Sequence, residues 1–95
     1  MSEDIDRIAA AVLAVPGVHD LHGGMFGEVG TYLPGRRVTG IRIGDDGTDI
    51  HVSVHFGAAI RETAAAIRAA VSPFVQSPVS VTVEDIVPDD HGGRP

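Results

Sequence analysis

The chain reads as a single α+β domain, in the order α-β-β-β-α-β, with a mixed three- to four-stranded sheet and both helices packed on one face. Three observations carry this. Apolar residues recur at three-and-four spacing in two stretches, near each end of the chain. Asp49 to Phe56 alternates strictly, with Ile50, Val52, Val54 and Phe56 on one side and His51, Ser53 and His55 on the other. Between that stretch and a preceding alternating one lies GDDG at 44–47, a hairpin signal.

Ninety-five residues are too few for two separate cores. The hydrophobic share is 43%, but with three Phe, one Tyr and no Trp the core must be thin and built of small aliphatics, which suits one sheet covered by helices. The first helix runs from Ser2 to Val15, with Ile5, Ile8, Ala9, Val12 and Leu13 on one stripe and acids in its first turn, where the helix dipole favours them. Pro16 and Gly17 end it. A short strand, Val18 to Leu21, comes next, and a glycine-rich connection leads into the strand Val38 to Ile43, with Thr39, Ile41 and Ile43 on its buried face.

After Gly57 a second helix aligns Ile60, Ala64, Ile67, Val71 and Phe74, until Pro73 and Pro78 bracket its end. Val79, Val81 and Val83 then form the last strand, parallel to 49–56 because a helix connects the two. The domain is expected over 1–87. Residues 88–95, too polar and too rich in Gly and Pro to fold alone, are expected to be a disordered C-terminal tail.

Charge and composition remove several function classes. A net charge of −6 repels nucleic-acid backbones and anionic bilayers at long range. No cysteine is present, so disulfides, thiolate zinc sites and cysteine nucleophiles are excluded. The acidic start MSEDIDRIAA is unlike a secretion signal, and no apolar run approaches the ~20 residues of a membrane span. The expected location is the cytoplasm, peripheral to the membrane only through a partner and without direct insertion.

The stretch HGGMFGEVGTYLPGRR at 22–37 holds five glycines and twin arginines, the makings of a phosphate cradle. Its glycine spacing is not G-x-G-x-x-G, no Lys-Ser/Thr follows, and a strand rather than a helix comes after it. G-E-V-G at 27–30 has the form of the G-x-x-G of KH domains, yet Glu28 stands where that clamp wants a base. Phe26, Tyr32 and Leu33 are apolar enough to fold the loop onto the sheet. Arg36 and Arg37 are expected to pair with carboxylates of this chain or of a second copy rather than with a phosphate.

The face of the sheet away from the helices should present Arg42, His51, Ser53, His55, Ser80, Thr82 and Glu84 as an open polar platform. His51 and His55 stand four apart on a strand, about 13 Å at ~3.3 Å per residue, too far to ligate one metal. His19 or His22 from the neighbouring strand would be needed to complete a metal site with His51 or Glu84. Ser53 beside His51 or His55 lacks a third orienting group, and adjacent Glu84 and Asp85 should point to opposite sides. No catalytic, cofactor-binding or metal-ligating residue is assigned, and no cofactor is expected.

VPGVHDL at 15–21, GIRI at 40–43, IHVSVHFG at 50–57, IRETAAAIRAAV at 60–71 and VSVTVEDI at 79–86 together resemble the alkaline shock protein family, the bacterial envelope stress response proteins. GEVGTYLPGRRV at 27–38 is similar to the short members of high-GC bacteria, while SPFVQSP at 72–78 departs from the usual turn before the last strand. The resemblance implies a non-enzymatic, cytoplasmic, self-associating protein that reaches the membrane through a small membrane-anchored partner. The expected function is thus an envelope-stress scaffold or adaptor, with Tyr32, Arg36, Arg37, Arg42, His51, His55 and Glu84 as candidate contacts. The alternatives are a KH-like single-stranded nucleic-acid module and a small histidine-dependent metal-binding protein.

Overall fold

The computed structural model describes residues 2–88, and the tail beyond 88 lies outside the described residues. The elements are α1 Ser2–Leu13, β1 Val18–Leu21, β2 Gly30–Leu33, β3 Arg36–Thr39, β4 Ile41–Ile43, β5 Thr48–His55, α2 Ile60–Val71 and β6 Val79–Val87, with a 3₁₀ turn, Ser72–Phe74, after α2. The class is α+β. Neither α1 nor α2 is long and apolar enough to cross a membrane.

β5 is the axis of the sheet. β6 lies along one edge of β5 in parallel. The other edge is shared end to end: β4 pairs antiparallel with Thr48–Ile50 and β1 antiparallel with Val52–Val54. The two meet at His51, whose N–H donates to Gly40 O and whose carbonyl accepts from the His22 N–H, both at 2.8 Å. Four strands therefore make a sheet only three strands wide, and the outer edge of β6 pairs with no strand among the described residues.

Ile5, Ile8 and Val12 of α1 and Ile67 and Val71 of α2 close over Ile41, Ile50, Val52 and Val54, so both helices cover the same face. Each of these side chains is at most 1% exposed, and burying one contributes roughly 1.5–3 kcal/mol. The stripe runs out toward the ends of the sheet. Ile43, Phe56 and Phe74, expected to be inward, are 39%, 73% and 37% exposed. Twelve-residue helices span about 18 Å, shorter than the ~26 Å of an eight-residue strand, so the ends of the sheet lie beyond their cover.

The connection at 22–37 holds more structure than its sequence announced. β2 and β3 form a separate antiparallel hairpin through Pro34-Gly35, with Thr31 opposite Val38 and Tyr32 opposite Arg37. The single strand expected over Val38–Ile43 is split at Gly40. Its φ is +84°, and a Cβ there would sit 2.8 Å from His51 O and 3.0 Å from His22 N. Only glycine allows the chain to leave one sheet and enter the other at that point.

Candidate functional site

The segment leading into β2 is a tight turn tied at several points. Gly27 N–H donates to Gly24 O at 3.1 Å, and Val29 N–H donates to Gly23 O at 2.8 Å. Phe26 N–H reaches Glu28 Oε1 at 3.1 Å, and Gly24 N–H reaches His22 Nδ1 at 2.9 Å. Val29, 3% exposed, takes the inward position, and its carbonyl accepts from Gly40 N–H at 2.9 Å. Met25 and Phe26 are left at the tip, 83% and 85% exposed.

Sequence reasoning placed Phe26, Tyr32 and Leu33 down on the sheet, and the structure corrects two of the three. Leu33 is half-buried, but Tyr32 is 80% exposed. The reason is the period of two along β2. Thr31 faces inward, its hydroxyl donating to Ile41 O at 2.6 Å and so occupying the outer edge of β4, which turns Tyr32 outward.

The arginines hold this arrangement from within. Arg37 Nη2 donates to Gly27 O at 2.6 Å, while its Cζ lies 5.3 Å from the centre of the Tyr32 ring. Its Nε is buried and has no partner among the described residues. Arg42 Nη2 donates to Glu28 O at 2.8 Å. Arg36, on the opposite side of β3 from Arg37, pairs with Asp6 Oδ2 of α1 at 2.8 Å, the intramolecular choice among those its sequence left open.

On the helix-free face of the sheet, His51 Nδ1 lies 2.6 Å from Glu84 Oε2, both side chains about one-fifth exposed. With the carboxylate ionised, the imidazole is the donor. β6 carries a bulge beside this pair: Val83 is opposite Val52 and Asp85 opposite Ser53, leaving Glu84 as the additional residue. Glu84 and Asp85 therefore both adjoin residues of the helix-free face, where strict alternation would have separated them. Ser53, expected on an open platform beside His51 and His55, is 4% exposed and has His19 Nδ1 3.1 Å from its Oγ. His19 in turn meets the His55 ring edge-on at 5.3 Å.

The seven candidate residues thus fall into separate places. Tyr32, Arg37 and Arg42 gather at the turn, His51 and Glu84 pair on the sheet, His55 meets His19 edge-on, and Arg36 reaches across from β3 to Asp6 of α1. Met25 and Phe26 were missed as contacts, although their place between glycines in GGMFG marks them as turn-tip residues. A second apolar feature lies across the sheet. Ile60 and Ile86, 42% and 46% exposed, line a shallow groove of ≈ 470 Å³ with Val83, Glu84 and Asp85.

Comparison of the chain with protein-family models, curated proteins and solved structures finds no match.

Proposed function

We propose that this protein is a non-catalytic scaffold or adaptor, which works by self-association and by holding a partner at the Met25–Phe26 turn. One observation carries the reading: two large apolar side chains, each more than four-fifths exposed, stand on a turn that four hydrogen bonds and an arginine hold in place. An apolar tip whose conformation is fixed in advance loses little entropy on binding, and aromatic anchors supply most of the energy of a contact. Tyr32 and Arg37 widen the anchor, with Arg42 beside it. The resemblance to envelope stress proteins supplies the setting: a cytoplasmic adaptor that meets a small membrane-anchored protein.

Light-scattering mass and recovery in the membrane fraction test the proposal, with wild type compared to the double variant Met25→Ser, Phe26→Ser. Wild type should show a mass that rises with concentration and should sediment with membranes from its own cells. The variant should lose both while keeping its circular dichroism spectrum. A wild-type mass fixed at the monomer, together with equal membrane recovery of the two proteins, overturns the reading.

A further inference from the structure

We infer that the turn of one copy seats Phe26 in the Ile60–Val83–Ile86 groove of a second copy, so that the chain assembles head to tail. The inference rests on the scaffold reading and names the partner of its self-association surface. Two features match the knob to the groove. The first is apolar: Phe26, the most exposed large hydrophobic side chain among the described residues, meets a concavity lined by Ile60, Val83 and Ile86.

The second is charge. Between residues 22 and 43 the chain carries three arginines against one glutamate, although its net charge is −6; Arg36 is paired with Asp6, which leaves Arg37 and Arg42 against Glu28. Arg37 and Arg42 flank the turn, each bonded to a backbone carbonyl rather than to a carboxylate. The groove is lined on its acidic side by Asp85 and by Glu84, the latter held by His51 at 2.6 Å. Docking a basic tip against an acidic rim steers the encounter and opposes the repulsion between two acidic molecules. An anionic bilayer offers the tip no such groove, and it repels the acidic remainder of the molecule.

Topology then fixes the kind of assembly. The turn lies beyond the β4 edge, anchored through Val29 to Gly40, whereas the groove lies at β6, across β5. Unlike surfaces on opposite edges make a heterologous contact, in which the assembly keeps one free knob at one end and one free groove at the other. Assembly is open-ended unless the rotation happens to close a ring.

Mixing two blocked variants tests this directly. Phe26→Asp removes the knob and Ile60→Asp the groove. Both positions are exposed, and an acid at the first residue of α2 suits the helix dipole, so both variants should fold. Ile86→Asp serves as a second groove variant. Each variant alone should be monomeric at concentrations where wild type forms larger species, and an equimolar mixture of one knob and one groove variant should stop at a dimer. Rising salt should weaken wild-type assembly.

A mixture that stays monomeric, or single variants that assemble like wild type, overturns the inference. So does a monomeric wild type that binds vesicles of anionic phospholipid through Phe26. A monomeric wild type whose membrane recovery still depends on Phe26 overturns the head-to-tail contact while leaving the adaptor reading in place.

Discussion

Ile50, at the middle of β5, is fully buried, whereas Phe26, at the tip of the 24–27 turn, is 85% exposed, and the surroundings of the two are held by different forces. Around Ile50 the contacts are aliphatic and non-directional: α1, α2 and three strands close on one another, and area removed from water supplies the stability. Around Phe26 almost nothing large is buried except Val29, and the conformation comes from backbone hydrogen bonds, a glycine crossover and arginine braces. The first arrangement tolerates changes of side chain that keep volume. The second depends on individual donors and acceptors, which lets it hold apolar groups in water in a defined place.

Removing a piece of each region should separate the two. Ile50→Ala leaves a cavity between both helices and the sheet and should cost about 2–5 kcal/mol in denaturant unfolding. An effect below about 1 kcal/mol would mean that the helices do not close over β5 as described. Gly40→Ala acts on the junction: a side chain at φ +84° would also collide with His51 O. It should cost about 1–3 kcal/mol, with amide exchange accelerating in 22–40 more than in α2. Equal acceleration everywhere would show that the hairpin and the main sheet unfold as one unit.

The smallest effect belongs to Arg36→Ala. The Arg36–Asp6 pair ties the hairpin to α1, but both side chains are about half exposed. Its loss should cost at most about 1 kcal/mol, and high salt should reduce the difference from wild type. A larger loss, insensitive to salt, would place the hairpin's attachment in that pair rather than in Val29 and Gly40.

Most of the helix-covered half was legible in the sequence. The alternation of β5 and the stripes of α1 and α2 each encode a period, GDDG encodes a turn by residue type, and both kinds of signal are local enough to be read along the chain. The hairpin was not legible in the same way, because Gly30–Leu33 and Arg36–Thr39 are only four residues each and bury little on either side. The twin arginines were visible, but their separate tasks were not. Arg36 and Arg37 diverge only because β3 alternates, and their partners Asp6 and Gly27 lie 30 and 10 residues away in sequence.

The sequence alone determined the class of the fold, the identity of its two helices and central strand, and the side that β5 turns to the core. Local periodicity and turn chemistry act within a few residues, so they leave their mark in the order of residues. Tertiary structure alone decided that β1 and β4 share one edge of β5, that a bulge at Glu84 sets Asp85 opposite Ser53, and that Ser53 is covered by His19. It alone also decided that Met25 and Phe26 face water. Each of these depends on which distant backbone groups find one another as hydrogen-bond partners, and that pairing is settled only when the whole chain packs.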